Sequence, residues 1–369
     1  MPLLKARKSL AVILSPLSII YGIIVSIRNK CFDLNILKST EFDFPVISVG
    51  NLTTGGTGKT PHIEYLVKLL HDDHKIAVLS RGYKRKSKEF ILATTDSSTS
   101  EIGDEPKQLK QKFHKLTVAV DRDRVNGIMK LKEKVKGLKA VLLDDAFQHR
   151  YVTPGLSIVL VSYHKPVFKD YILPFGNLRE GRRGIHRADI VIVTKTPASF
   201  KPIEKRLWIK NLKLYPYQFL YFTRYKYHDP QPVFKGKMKK AELETLKKEK
   251  PAFLVVTGIA NPIPLHNWLK KISKKITPLT FPDHHNFTKQ DIHTINTKFD
   301  TIKNKSKFII TTEKDATRFR ELNIKNETFR DNMYYVPVEV EFLYNDAKTF
   351  NKQIKDYVGK NKRINRLHC

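Results

Sequence analysis

The stretch VISVGNLTTGGTGKTPHIEYLVKLL, residues 46–70, decides the fold. It carries two periodicities joined by a glycine-rich turn. PVISVG (45–50) is almost continuously apolar, which suits a strand of a parallel sheet covered on both faces. Downstream, Ile63, Leu66, Val67 and Leu70 recur at i, i+3, i+4 and i+7, one face of an amphipathic helix. Between them lies TTGGTGKT (53–60). Glycines let successive N–H groups turn inward and form a nest for an anion. The positive end of the following helix adds to that field. Pro61 falls in the first helical turn, where a missing N–H costs nothing.

Strand, glycine-rich turn and helix in this order resemble the P-loop pattern G-x-x-x-x-G-K-[ST]. The first glycine of that pattern is Thr53 here, and the extra Gly55 and Gly56 compensate. A glycine-rich surface turn is the bland alternative, and the strand and helix on either side argue against it. Thr53, Thr54, Gly55, Gly56, Thr57, Gly58, Lys59 and Thr60 are therefore candidate nucleotide-binding residues. Lys59 is expected to reach the β- and γ-phosphates and the Thr60 hydroxyl to ligate Mg²⁺. KAVLLDDAFQHR (139–150) supplies carboxylates for that ion. Its apolar strand ends in Asp144 and Asp145, at the sheet edge where ligands bind in such folds. Turn capping is the competing role for one of the pair. Two aspartates ending a buried strand favour magnesium, directly or through water.

Working outward, KIAVLS (75–80), LTVAV (116–120), LSIVLVS (156–162) and ADIVIVTK (188–195) read as further buried strands. Strands alternating with helices predict a doubly wound α/β core of P-loop NTPase type. The aromatic run at 216–233 reads as a strand leaving that core, and the basic stretch 234–250 as a boundary. AFLVVTG (252–258) and KFIITTEKD (307–315) predict a second, smaller α/β unit. MYYVPVEVEFL (333–343) is expected to pair with the aromatic strand and link the two. The organisation expected is an N-terminal helix and linker over 1–40, a core over 41–225, a second unit over 226–345 and a basic C-terminal tail over 346–369, frayed over KNKRINRLHC (360–369).

The chain has 369 residues, 41% of them apolar, enough for two packed cores. Lysine and arginine total 68 against 36 acidic residues, a net charge of +32. That excess implies anionic company: nucleic acid, an anionic membrane or phosphorylated substrates. Two cysteines, Cys31 and Cys369, make no disulfide framework, which fits a reducing compartment. Ser9 to Ile27 carries no charge and is flanked by basic residues. As a helix it would be about 28 Å long, near the thickness of a bilayer core. A signal peptide would need a small-residue cleavage site, which is absent there. Packing on the protein's own core is the bland reading. A membrane-associated helix, spanning or lying in the interface, is the expected one.

Other stretches carry two readings each. SRGYKRKSK (80–88) is a solvated basic loop or a phosphate-recognition loop at the ligand edge. In EIGDEPKQL (101–109), Asp104 or Glu105 before Pro106 reads first as a helix cap. FPDHHNFT (281–288) has paired histidines without metal-ligand spacing, and LREGRRGIHR (178–187) is a basic loop suited to an anionic substrate.

VISVGNLTTGGTGKTP, SRGYKRKSK, GDEP, LDDAFQHR, GNLRE, FPDHHNFT and TEKDATRF together resemble the tetraacyldisaccharide 4'-kinase family of Gram-negative bacteria, in the family's order from about residue 45 to 318. The resemblance implies an ATP- and Mg²⁺-dependent lipid kinase. Its substrate would be the lipid A precursor tetraacyldisaccharide 1-phosphate, phosphorylated at the 4'-hydroxyl. It implies a monomer on the cytoplasmic face of the inner membrane, held through its N-terminal hydrophobic helix at an anionic surface, with no nucleic acid partner. It shifts Asp104 from cap to the group that activates the sugar hydroxyl, and sets His284, beside Asp283, near the reacting phosphate. Lys59 and Asp145 complete the catalytic candidates. Glu180 joins Thr60, Asp144 and Asp145 as a metal candidate, and His149 becomes an orienting residue. Ala146 departs from the glycine usual in the family, and the loop around Glu180 is more basic than usual. The rival readings are a nucleic-acid-dependent P-loop ATPase or GTPase, and a membrane scaffold with a structural nucleotide. TKTP (194–197) is not the guanine-reading N-K-x-D sequence.

Overall fold

The computed structural model describes residues 2–83, 85, 87–234 and 241–360. In chain order the first elements are α1 (Pro2–Asp33), β1 (Val46–Asn51), α2 (Lys59–Leu70), β2 (Ile76–Ser80), β3 (Ile91–Leu92), α3 (Thr99–Ile102), α4 (Asp104–Lys112), β4 (Thr117–Val120), α5 (Arg124–Lys134), β5 (Ala140–Asp144), β6 (Leu156–Ser162), β7 (Ile190–Thr194), α6 (Pro202–Leu212) and β8 (Phe219–Tyr227). The chain continues through β9 (Gln231–Pro232), α7 (Leu243–Glu249), β10 (Ala252–Thr257), α8 (Ile263–Leu269), β11 (Ile276–Thr280), α9 (Lys289–Asp300), β12 (Lys307–Thr312), α10 (Glu313–Arg320), α11 (Glu327–Asp331), β13 (Met333–Val336), β14 (Val338–Phe342) and α12 (Ala347–Lys360).

Among the described residues the larger sheet has nine strands in the order β14-β8-β7-β6-β1-β5-β2-β4-β3. Its interior is parallel, and β3 and β14 pair antiparallel at its two edges. All six residues of β1 are buried, as a strand covered on both faces requires. Ile63, Leu66, Val67 and Leu70 of α2 pack on one face with Phe350 and Ile354 of α12. Ile128 and Leu131 of α5 cover part of the other. The chain leaves β1 toward β2, returns to β5 beside β1, then crosses to β6 on its far side. Strand order therefore reverses at β1, which opens a crevice at its carboxyl end. The register sets Val49 of β1 opposite Asp144 of β5, so the glycine-rich turn and the aspartate pair leave the sheet at one edge.

The smaller sheet has the order β11-β10-β12-β13-β9, parallel except for β9. The expected link exists. The aromatic run divides into β8 in the larger sheet and β9 in the smaller one, and residues 333–342 divide likewise into β13 and β14.

Two expectations change. Residues 347–360, expected as part of a basic C-terminal tail, form α12, whose Phe350, Ile354 and Tyr357 are buried in the core. Their spacing makes an apolar stripe that the surrounding lysines hid. Residues 361–369 lie outside the described residues, as does part of the basic boundary, 235–240. At the N-terminus, α1 is longer than the uncharged run and carries Pro16 within it. No helix among the described residues is long and apolar enough to cross a membrane. One side of α1 is bonded to the protein: Ser18 Oγ donates to Ile172 O (3.0 Å), Tyr21 OH to Arg179 O (3.0 Å), and Arg150 donates to Asn29 O (2.7 Å). Its other side exposes Leu17, Ile20, Ile24 and Ile27.

Gly50 near the end of β1 shows how tightly the ligand edge is built. A Cβ there would lie 2.6 Å from Phe147 Cβ and 2.9 Å from its backbone nitrogen. Gly50→Ala is expected to lower unfolding stability by about 1–3 kcal/mol, read from the denaturant midpoint, because the backbone after the aspartate pair cannot step aside.

Candidate active site

The turn from β1 into α2 is held from outside by side chains of neighbouring strands. Asn51 Nδ2 donates to Thr57 Oγ1 (2.9 Å), and Thr194 Oγ1, at the end of β7, donates to Thr57 O (2.7 Å). Lys195 Nζ donates to Gly56 O. Peptide planarity then turns the Gly58 N–H away from Thr194. Gly58 has φ +97°, and a Cβ there would lie 2.5 Å from the Tyr225 hydroxyl. Both facts require glycine at this position. Thr53, where the motif has glycine, forms an extended bridge with Leu178, a conformation open to any residue.

The aspartate pair is split by its surroundings. Asp144 is buried, accepts from Ser80 Oγ (3.2 Å) at Oδ2, and has no partner at Oδ1. Burial and the adjacent Asp145 charge push its carboxyl up to about 6. Asp145 turns out of the strand with φ +48° and meets Lys59 Nζ at 3.5 Å and Arg179 Nη1 at 2.9 Å. Burial opposes its ionisation, but those two cations outweigh burial and hold it below the usual carboxylate range. Glu180 is turned elsewhere: Arg187 (2.8 Å), Gln148 Nε2 (3.0 Å) and Asn29 Nδ2 (3.0 Å) engage its carboxylate. Among the described residues no cluster of three or more His, Cys, Asp or Glu side chains could hold a metal. The free oxygen of Asp144 and the Thr60 hydroxyl are hard donors of the kind Mg²⁺ takes with phosphate oxygens and water.

Asp104 is the first residue of α4, whose N-cap is Gly103. Its side chain caps nothing. It reaches the other unit instead, accepting from His284 Nδ1 (2.8 Å) and from Arg318 Nε (3.1 Å) and Nη2. Burial works against the charge on Asp104, but the His284 and Arg318 hydrogen bonds prevail and keep its carboxyl far below the ordinary range. Lys314 Nζ approaches His284 Nε2 at 3.1 Å and donates to Glu105 Oε1 at 2.7 Å. A carboxylate only accepts, so His284 Nδ1 carries the hydrogen it shares with Asp104. His284 sits at φ +59°, with its N–H bonded to Gly258 O (3.1 Å) and Tyr83 5.0 Å away, ring to ring.

Gly55 to Thr60, Asp144, Asp145, Glu105, His284 and Lys314 line one cleft of about 1130 Å³, with Asp104 one layer behind His284. Arg81, Arg122 and Arg124 line it too, as do Tyr21, Arg28 and Asn29 of α1. His149 faces the same cleft; burial and then the Arg124 charge push its imidazole down to about 4, and its Nε2 has no partner. Arg81 and Tyr83 thus come from the basic loop after β2, whereas Lys84 and Lys86 lie outside the described residues. His285 does not join: it meets Asp291 (3.0 Å) at the start of α9. Arg179, Lys314 and Arg318 were missed as individual residues, although GNLRE and TEKDATRF contain them. Arg124 carried no signal in the sequence.

A family model described as tetraacyldisaccharide-1-P 4'-kinase (LpxK) matches residues 10–359. The tetraacyldisaccharide 4'-kinase of Bacteroides thetaiotaomicron is 48% identical over 358 residues, covering 95% of this chain and 94% of that one. The protein of the same name from Phocaeicola vulgatus is 49% identical, with 95% and 96% covered. A crystal structure of LpxK from Aquifex aeolicus in complex with ATP superimposes with a TM-score of 0.72 at 27% identity, over 96% of this chain and 99% of that one. Because the likeness runs the length of the chain, this protein belongs to the tetraacyldisaccharide-1-P 4'-kinase family.

Proposed function

We propose that the protein transfers the γ-phosphoryl group of ATP to the 4'-hydroxyl of tetraacyldisaccharide 1-phosphate, a step of lipid A biosynthesis. The observation that carries this reading is the 2.8 Å contact between Asp104 and His284 at the wall of the cleft that Lys59 and Thr60 also line. In it, the Gly58 N–H, the start of α2 and Lys59 hold the ATP phosphates and spread the charge that develops on the γ-phosphoryl oxygens. Thr60 and Asp144 would hold Mg²⁺, which supplies further positive charge beside those oxygens. Asp145, tied to Lys59 and Arg179, sets where the lysine points. The 4'-oxygen attacks the γ-phosphorus as the bond to the bridging oxygen breaks. ADP departs, and the hydroxyl proton passes to the His284–Asp104 pair. The transition state is loose, so positioning counts for more than basicity. Arg81, Arg122 and Arg124 on the cleft wall suit an acceptor that itself carries a phosphate.

The acceptor keeps its acyl chains in a bilayer, and α1 supports contact with one. Its exposed Leu17, Ile20, Ile24 and Ile27 face outward, while Tyr21, Arg28 and Asn29 reach the cleft. In this reading α1 lies in the interface of an anionic cytoplasmic leaflet, beside the site that takes the sugar.

Label from γ-labelled ATP is expected to appear in tetraacyldisaccharide 1-phosphate in mixed micelles with Mg²⁺, and not with Lys59→Ala. ATP binding without lipid labelling by the native protein would refute the acceptor, and RNA-stimulated hydrolysis would then favour the nucleic-acid rival. Asp104→Ala is expected to lower kcat at least about 100-fold while ATP affinity survives; unchanged turnover would remove Asp104 from the mechanism. The double variant Ile20→Asp/Ile24→Asp is expected to lose sedimentation with anionic vesicles and to keep ATP binding. Undiminished sedimentation would place the membrane contact elsewhere.

A further inference from the structure

Arg318 of α10 is 5% exposed, and its whole guanidinium is used. Nε and Nη2 take one oxygen each of Asp104, across the seam between the two sheets. Nη1 donates to Asp315 Oδ1 (2.9 Å) and to Gly258 O (3.4 Å). That same Gly258 carbonyl accepts the His284 N–H, and the Gly258 N–H donates to Asp315 Oδ2 (2.9 Å). One planar fork thus grips the Asp104 carboxylate and the backbone turn from which His284 projects. We propose that Arg318 is a positioning residue for phosphoryl transfer: it sets the plane of the Asp104 carboxylate and ties it to the His284 turn, so that the pair is held aligned between the two units. The inference rests on the role given above to Asp104 and His284.

Two properties of the guanidinium are separable. Its fork fixes the carboxylate plane, which the single ammonium of lysine does not. Its charge offsets two buried carboxylates. Around Asp104 stand His284, Asp283, Lys314, Arg318 and Asp315 from the smaller unit and Glu105 from its own helix. With Arg318 gone, Lys314 is the remaining ammonium there, already shared with Glu105. Removing the Arg318 charge raises the Asp104 pKa, and the pair works only with Asp104 ionised. Losing the charge as well as the fork must therefore cost more turnover than losing the fork alone.

The test compares Arg318→Lys, Arg318→Gln and Asp104→Asn in the full-length protein. Label transfer, fluorescent ATP-analogue binding and thermal unfolding are followed near neutral pH. For Arg318→Lys, kcat is expected to fall about 10- to 100-fold, with KM for ATP within about twofold. For Arg318→Gln, kcat is expected to fall about tenfold further than for Arg318→Lys, because charge and fork are both lost. Unchanged kcat in Arg318→Lys, with Asp104→Asn inactive, overturns the positioning role and leaves Asp104 standing. Activity in Asp104→Asn overturns the role of Asp104 and the inference with it. A fall in kcat, nucleotide affinity and melting temperature together in Arg318→Lys marks Arg318 as structural only and also overturns it. Arg318→Lys guards against outright misfolding in Arg318→Gln, because it keeps a cation beside Asp315.

Discussion

A carboxylate buried between two sheets must be met by positive charge and hydrogen-bond donors, and Asp104 finds both across the seam. It begins α4 of the larger unit, and its partners Arg318 and His284 belong to the smaller one. The same seam carries Glu105–Lys314 (2.7 Å), Lys112–Glu313 (2.9 Å) and the Thr99 N–H with Glu321 (2.8 Å). Such partly buried pairs return little net stability, because desolvating the charges offsets much of what their attraction gains. What they supply here is specificity: helices α4 and α10 meet in one register, since any slip leaves a charge unpaired.

That seam is possible because the chain passes between the sheets twice, side by side. β8 leads to β9 and β13 leads to β14, and β8 pairs with β14 antiparallel. Pro337 stands between β13 and β14, and Pro230 between β8 and β9. Proline has no N–H for the ladder, so each sheet ends where the other begins. The crossing strands run past the glycine-rich turn, where Tyr225 closes against Gly58. The phosphate-type turn, the link and the acid–imidazole pair are therefore parts of one construction around a single cleft.

Much of this was legible from residues alone, for reasons that are local. A buried parallel strand must be apolar almost throughout, so β1, β2, β6, β7 and β10 announce themselves, and a nest of N–H groups needs glycine. Local reasoning failed where a residue's partner is distant in sequence. Asp104 before a proline reads as a cap, and the bonds that make it otherwise come from 180 and 214 residues away. Glu180 reads as an acidic candidate for a metal, yet its carboxylate is engaged by Arg187, Gln148 and Asn29. In α12, lysines on the exposed face masked an apolar stripe that only the larger sheet could bury.

The amino-acid sequence by itself determined the α/β class, the anion-holding turn, the paired aspartates at the sheet edge and the family, because each is written in short-range pattern or in the order of contiguous motifs. The tertiary structure alone decided that Asp104 faces His284 and Arg318, that Asp144 keeps a free oxygen while Asp145 is spent on Lys59 and Arg179, and that α1 touches the cleft on one side and exposes isoleucines on the other. Charge compensation and burial act through space, and no spacing along a chain encodes which distant cation will arrive at a given carboxylate.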